Sequence, residues 1–114
     1  KNKSKSKLVS LAKSKNLWER RIAMIATLYY INEGEVDVAL KIATILLHDS
    51  HDLIQKAVGW MLREIGKRCS VDILKTFLDL YATTMPRTTL RYSIEHFDAN
   101  TRRYYLNKSK EKNE

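Results

Sequence analysis

Four side chains with binding chemistry share one side of a helix that the sequence predicts over residues 52–67. At about 100° per residue, a sector of roughly 60° holds Lys56, Trp60, Arg63 and Lys67. An indole ring offers a stacking surface to planar bases, while ammonium and guanidinium groups bind anions. The pattern therefore indicates a surface for a polyanion that carries bases. The alternative is that Trp60 packs against a neighbouring helix, beside ordinary solvated charges.

The opposite side of the same predicted helix is apolar. A stripe typical of a helix face turned to a core is formed by Ile54, Val58, Met61, Leu62 and Ile65. Gly59 lies beside Trp60, and glycine in a helix interior costs about 1 kcal/mol relative to alanine. A glycine at this position predicts that another helix or a ligand approaches closely.

Two adjacent arginines near the start of another predicted helix are further candidates. Arg20 and Arg21 lie where the helix dipole disfavours a cation. At least one of them is therefore expected to bind a phosphate or carboxylate of a partner, to which the guanidinium fork is suited. The alternative is an internal salt bridge with Glu19, Glu64 or a carboxylate on another helix.

A later arginine also lies at a predicted helix start. Arg87 follows a proline and precedes two threonines. Because exposed N–H groups of a first helical turn bind phosphate, Arg87 is a third candidate for an anion contact. Arg91 and Glu95 are four residues apart, and we expect an ordinary surface ion pair worth roughly a few tenths of a kcal/mol.

The residues alone indicate no metal site and no catalysis. His48 and His51 alternate with Asp49 and Asp52 across a helix junction, and a fourth ligand type for zinc is not evident. A turn with a helix cap is the favoured interpretation. The sequence contains no Gly-rich phosphate loop, nucleophile elbow or His-Glu-x-x-His pattern.

The composition is typical of one basic globular domain. The 114 residues are 44% hydrophobic and 30% charged, with a formal net charge of +8. This charge favours an anionic partner, nucleic acid before an anionic membrane surface. A single cysteine, Cys69, excludes an internal disulfide, and no run of about 18 apolar residues predicts a membrane span. A start without methionine suggests a piece of a longer or processed chain.

The elements that must position these residues are expected to be helices, because the chain has three glycines and one proline among periodic apolar runs. The predicted helices span 17–32, 35–48, 52–67, 71–82, 86–97 and 98–106. Asn16, Ser70 and Asp98 are expected caps, and Gly34 is expected to end the first of them. The apolar middle of that helix, residues 22–31, is expected to be buried on several sides.

The predicted helix starts recur at intervals of 34 or 35 residues, at 17, 52 and 86 and at 35 and 70. Such a repeat indicates stacked helical hairpins. Since the Trp-x2-Leu-Gly-x2-Tyr pattern is absent, we expect an all-α, HEAT-like α-α superhelix. Residues 16–106 would form this domain, 1–15 a basic N-terminal segment with a possible short helix, and 107–114 a flexible basic tail.

Three blocks of the sequence resemble the C-terminal half of AlkD-type DNA alkylation repair proteins. They are residues 16–23, 51–64 and 85–95, of which the middle block, His-Asp-Leu-Ile-Gln-Lys-Ala-Val-Gly-Trp-Met-Leu-Arg-Glu, is the most specific. The resemblance implies a HEAT-like glycosylase that hydrolyses the N-glycosidic bond of cationic N3- and N7-alkylpurines without metal or cofactor. It also implies a concave basic face that grips double-stranded DNA.

The resemblance also implies roles for individual residues. Arg21 would contact the DNA backbone near the lesion, Trp60 would line the lesion site, and Arg63 would bind a further phosphate. Additional DNA contacts are expected from Lys56, Lys67, Arg20 and Arg87. The family's catalytic acid lies in a segment N-terminal to the first block, which this sequence does not contain. We therefore expect the C-terminal part of a monofunctional glycosylase that needs the missing segment for catalysis.

The expected partner is double-stranded DNA that contains alkylated purines, bound by a monomer in the bacterial cytoplasm. No membrane, metal or cofactor is expected to take part. The alternative is a non-catalytic helical-repeat scaffold that binds nucleic acid or an acidic protein.

Overall fold

A computed structural model describes the backbone of residues 2–112 and the side chains of residues 4–109. All regular structure in this part of the chain is helical, which confirms the predicted all-α class. The helices are α1 (Asn2–Ala12), α2 (Leu17–Ala26), α3 (Leu28–Asn32), α4 (Asp37–Leu46), α5 (Asp52–Arg68), α6 (Val71–Tyr81), α7 (Arg87–Ser93) and α8 (Ala99–Lys112).

The predicted helix caps are formed. The Asn16 side chain accepts hydrogen bonds from the backbone N–H groups of Trp18 at 2.8 Å and Glu19 at 3.1 Å. Ser70 caps α6 in the same way. Gly34 follows α3 with a φ of 83°, a left-handed conformation that glycine adopts without strain. These local signals place the starts of α2 and α6 and the end of α3.

The single helix predicted over residues 17–32 is wrong, because it is interrupted at Thr27. The Thr27 side chain is fully buried, and its Oγ1 donates to the carbonyl of Met24 at 2.6 Å. A side-chain bond of this kind competes with the helical backbone and bends or breaks a helix. The chain therefore turns between α2 and α3.

Two later helix ends also differ from the prediction. Helix α7 ends at Ser93 rather than at residue 97, and the Ser93 hydroxyl donates to the carbonyl of Leu90 at 2.8 Å. Helix α8 continues to Lys112, beyond the predicted end at residue 106. Within the predicted flexible tail, Ser109 is 3% exposed, so the described part of that tail is ordered helix. The predicted domain boundaries themselves remain predictions.

Helix α5 is the centre of the packing. It lies between α2 on one side and α7 on the other, and it also packs against α3, α4 and α6. The starts of α2, α5 and α7 are 35 residues apart, and those of α4 and α6 are 34 apart. This is the predicted stack of helical hairpins. The predicted apolar stripe is confirmed as core, since every one of its members is 1% exposed or less: Ile54, Val58, Met61, Leu62 and Ile65.

The close approach predicted at Gly59 is confirmed, and it is made by a helix. A Cβ atom on Gly59 would lie 2.5 Å from Cβ of Tyr92 and 2.7 Å from the carbonyl oxygen of Thr89. The Thr89 hydroxyl donates to the carbonyl of Gln55 at 3.0 Å, one turn earlier on α5. The backbones of α5 and α7 therefore meet with almost no side chain between them.

Helix α8 is attached through its aromatic side chains and its cap. The Tyr105 hydroxyl lies 3.0 Å from a carboxylate oxygen of Asp79 on α6, to which it donates. Burial, followed by this hydrogen bond, raises the pKa of Tyr105. At the other end of α8, the Asp98 carboxylate accepts from the backbone N–H of Thr101 at 2.8 Å.

The Asp98 cap is expected to depend on pH. The pKa of Asp98 is lowered from its ordinary value of 3.8, chiefly by the hydrogen bond from the backbone N–H of Thr101. Its stabilising effect on α8 is therefore present above pH 3.8 and is lost as the pH falls through the lower folded-state pKa. The Thr101 amide proton should titrate by NMR with a midpoint below 3.8. Asp98→Asn should abolish that titration, and a midpoint at or above the ordinary value would contradict the assignment.

Candidate nucleic-acid interface

The four side chains predicted to share one side of α5 do lie away from its buried stripe. Lys67 is exposed, whereas Lys56, Trp60 and Arg63 are partly buried. The Trp60 ring packs partly against the hydrophobic core and leaves the rest of its surface open. It therefore has a fixed position, as a stacking platform needs, and an accessible part. We call this side of α5 the basic face.

The first cation of the basic face has a weak internal partner. Lys56 Nζ lies 2.9 Å from a carboxylate oxygen of Asp52, one turn earlier, and the two side chains are 43% and 60% exposed. This hydrogen bond raises the pKa of Lys56, so the ammonium group stays charged. An exposed pair of this kind is readily exchanged for another anion.

Arg63 is held more firmly, between two carboxylates. Its Nη1 forms an ion pair with Glu95, which follows α7, and its Nε lies 3.8 Å from Glu64. Among the described residues, Arg63 Nε is a buried nitrogen without a hydrogen-bond acceptor. The predicted Arg91–Glu95 pair is wrong. Because α7 ends at Ser93, Glu95 is no longer one helical turn beyond Arg91 and pairs across to α5 instead.

The buried carboxylate on α5 is satisfied within that helix. Glu64 is 5% exposed and accepts from Arg68 Nε at 2.5 Å, while Arg63 lies on its other oxygen. A buried carboxylate needs such neighbours, since desolvation otherwise disfavours its charge. Glu64 is therefore not the partner of Arg20 or Arg21.

A cleft opens beside the C-terminal half of α5. It has a volume of about 160 Å³ and is lined by two cationic side chains and a glycine of α5, together with residues of α6 and of the segment around the end of α7: Arg63, Gly66, Lys67, Val71, Leu74, Ser93, His96 and Phe97. The structure thus brings two predicted DNA-binding residues, Arg63 and Lys67, to one site. His96 was not predicted, because its place there depends on where α7 ends.

The adjacent arginines of α2 differ in their surroundings. Arg20 Nε donates to Asp49 at 2.9 Å, and its Nη1 donates to the carbonyls of Ser14 at 3.2 Å and Lys15 at 3.0 Å. Arg20 therefore joins the loop before α2 to the loop after α4 in an internal salt bridge, which was the alternative interpretation of these arginines. Arg21 is partly buried and forms no hydrogen bond or ion pair with any side chain or backbone group that the structure describes. Of the two, only Arg21 has its guanidinium available.

The third candidate arginine also has an internal contact. Arg87 Nη1 donates to the carbonyl of Leu106 at 3.1 Å, which ties α7 to α8. Its predicted contact with a phosphate therefore remains a prediction.

A comparison with protein families shows to which family the chain belongs. Residues 1–97 match the family model described as DNA alkylation repair enzyme. The chain belongs to this family. No curated protein and no solved structure matches it. The match includes every residue predicted to contact DNA and ends one residue before the cap of α8. For a DNA alkylation repair enzyme, DNA is the partner that the family suggests.

The junction before α5 is a capped turn in this member of the DNA alkylation repair family. At the junction before α5, the His51 ring nitrogen caps the helix by accepting from the backbone N–H of Leu53 at 3.2 Å, as the predicted capped turn requires. The part of the chain that the structure describes contains no group of three side chains able to hold a metal ion. None of its described helices is both long and apolar enough to cross a membrane.

An exposed apolar surface on α2 and α3 was not predicted. Trp18, Ile22 and Tyr29 are 58%, 57% and 66% exposed, and the first two lie one turn apart on the same side of α2. The predicted burial of residues 22–31 on several sides is confirmed for most of this range, since Ala23, Met24, Thr27 and Ile31 are 1% exposed or less, but Ile22 and Tyr29 remain exposed. An apolar run does not itself show which of its side chains pack against another helix.

Proposed function

We propose that this chain is the C-terminal part of a monofunctional DNA glycosylase that hydrolyses the N-glycosidic bond of cationic N3- and N7-alkylpurines. The observation that carries the proposal is the basic face of α5, where a partly open indole lies among cations. Family membership supports the repair role, and the resemblance of residues 51–64 to AlkD-type proteins supports the lesion class. The chain would grip duplex DNA with this face and with Arg21.

The chemistry of the lesion fits an aromatic platform. An alkylated purine leaves as a positively charged base, and the face of an indole attracts a cation. Trp60 would therefore stabilise the lesion, while Arg21 and the lysines of α5 bind the backbone around it. The cations would lie on phosphates rather than on the base itself.

The catalytic carboxylate is not assigned within these residues. Glu64, one turn after Trp60, is buried and shared by Arg63 and Arg68, so its charge is already compensated. Family resemblance places the catalytic acid N-terminal to the block at residues 16–23. The glycosylase activity is therefore proposed for the natural full-length protein, and DNA binding for this chain.

Fluorescence tests the binding proposal, because the chain has two tryptophans. Addition of an unmodified duplex should change the emission of the wild type and of Trp18→Phe, whereas Trp60→Phe should lose most of the change. The affinity should fall steeply with salt, with a log–log slope of about −0.9 for each phosphate neutralised. A response that persists in Trp60→Phe and vanishes in Trp18→Phe, or a flat salt profile, would overturn the proposed interface.

Release of N7-methylguanine from alkylated duplex by the natural full-length protein tests the catalytic proposal. Release that Trp60→Ala reduces more than tenfold would support it. Duplex binding without release would favour the alternative, a non-catalytic helical-repeat scaffold. The exposed pair of Trp18 and Ile22 on α2 is the observation that favours this second function, because neighbouring exposed apolar side chains mark protein interfaces.

A further inference from the structure

We propose that the cleft beside the C-terminal half of α5 is a phosphate-binding site for the DNA backbone, and that Glu95 takes the place of the phosphate in the free protein. This inference rests on the proposed DNA binding and adds His96 and Glu95 to the interface. The site would consist of Arg63, Lys67 and His96, which line one cleft.

The cleft has the charge and walls that a phosphodiester group needs. Arg63 and Lys67 contribute two positive charges, and His96 is exposed at the rim with ring nitrogens that can donate a hydrogen bond. Apolar side chains, among them Leu74 and Phe97, form the other wall. They exclude water from one side, which strengthens an ionic contact relative to one in open solvent.

Arg63 has hydrogen-bonding capacity left over. A guanidinium carries five N–H donors, and one of those of Arg63, the buried Nε, has no acceptor within hydrogen-bond distance. Glu64 cannot serve it, since the nearer oxygen is 3.8 Å away and the other accepts from Arg68 at 2.5 Å. A buried donor without an acceptor is unfavourable, so additional negative charge beside the exposed part of the Arg63 guanidinium would be stabilised.

Glu95 binds the Arg63 guanidinium in the way that a phosphate would. Carboxylates and phosphates both present two oxygens to the guanidinium fork. The Glu95 side chain is 60% exposed, whereas that of Arg63 is 21% exposed, so solvent screens the carboxylate and it can leave at low cost. Glu95 pairs with Arg63 without lining the cleft, so a backbone phosphate that binds Arg63 from the cleft competes with Glu95 for the guanidinium. Glu95 therefore weakens the grip of the protein on DNA.

Removal of the Glu95 charge should tighten DNA binding. By fluorescence anisotropy with a labelled unmodified duplex, we expect Glu95→Gln to bind roughly 3- to 10-fold more tightly than the wild type. The matched control is Glu33→Gln, which removes one exposed negative charge after α3 that neither lines the cleft nor pairs with Arg63, and should change the affinity less than about twofold. An equal gain in both variants, or none in Glu95→Gln, would overturn the inference.

A double-mutant cycle tests whether the effect passes through Arg63. In an Arg63→Gln background, Glu95→Gln should change the affinity less than about twofold, because the two side chains are in contact and their effects should not add. Additivity would show that Glu95 acts only through net charge, and would overturn the proposal. Thermal melts of the four proteins check that each variant is folded.

The Arg63 Nε–H resonance separates the two sources of phosphate. It should shift on titration with the duplex and stay unchanged with inorganic phosphate at the same phosphate concentration. An equal shift with inorganic phosphate would identify a site for a free anion and overturn the assignment to DNA. If the wild type binds duplex but Glu95→Gln is no tighter, this inference fails alone. If no variant binds duplex, the proposed function fails as well.

Discussion

Gly59→Ala is expected to destabilise the protein by about 1–3 kcal/mol, although alanine is the better helix former. The new methyl carbon would lie 2.5 Å from Cβ of Tyr92 and 2.7 Å from the carbonyl oxygen of Thr89. Backbone and Cβ atoms cannot rotate away, so α7 would have to move off α5. Urea unfolding followed by circular dichroism measures the change in the free energy of unfolding.

Gly66→Ala on the same helix is the matched control. There the added carbon would meet Cδ2 of Leu74 at 2.6 Å, which is the far end of a flexible side chain. A change of rotamer can relieve that contact, and alanine gains about 1 kcal/mol of helix propensity. We expect Gly66→Ala to lie within about 1 kcal/mol of the wild type. If Gly59→Ala were as stable as Gly66→Ala, the close packing of α5 on α7 would be wrong.

The adjacent arginines of α2 should have opposite phenotypes. Arg20→Met removes the cation from Asp49, whose side chain is 13% exposed, and leaves the carbonyls of Ser14 and Lys15 without their donor. Loss of one partner from such a mostly buried pair should lower the free energy of unfolding by about 2 kcal/mol. Arg21→Gln removes no internal bond and should leave stability within about 0.5 kcal/mol of the wild type.

In DNA binding, by contrast, we expect the larger effect from Arg21→Gln and the smaller one from Arg20→Met. Arg21→Gln should reduce the magnitude of the log–log salt slope by about 0.9, which is one phosphate contact. Arg20→Met, while folded, should keep the wild-type slope, because its guanidinium is engaged inside the protein. Lys41→Gln, on the exposed side of α4, controls for net charge and should also keep the slope. A shallower slope in Arg20→Met and a normal one in Arg21→Gln would reverse our assignment.

Local chemistry made much of the fold predictable from sequence. Asn16 and Ser70 accept hydrogen bonds from N–H groups within three residues, so nothing distant is needed for them to mark a helix start. The apolar stripe of α5 follows from helical periodicity alone. The same periodicity predicted which side of α5 carries Trp60 and its cations.

Contacts between distant residues could not be predicted in this way. Thr27 is fully buried among the surrounding helices, where its hydroxyl donates to the carbonyl of Met24 and interrupts a helix that its sequence neighbours would continue. Arg20 is 29 residues from Asp49, and Arg63 is 32 residues from Glu95. Each pairing depends on how helices pack and on where α7 ends. The candidate cations can therefore be identified from sequence, whereas the packing of the helices determines which of them already form an internal ion pair.

The missing side chain at Gly59 also fixes the alignment of two helices. Helices in such tight contact cannot slide past one another by a residue, about 1.5 Å of rise and 100° of rotation, without a clash. Arg63 lies one turn beyond Gly59 on α5. Glu95 lies three residues beyond Tyr92, just after the end of α7. The absence of a side chain at Gly59 therefore helps to set the distance between the Arg63 guanidinium and the Glu95 carboxylate, because it fixes how α5 and α7 are aligned.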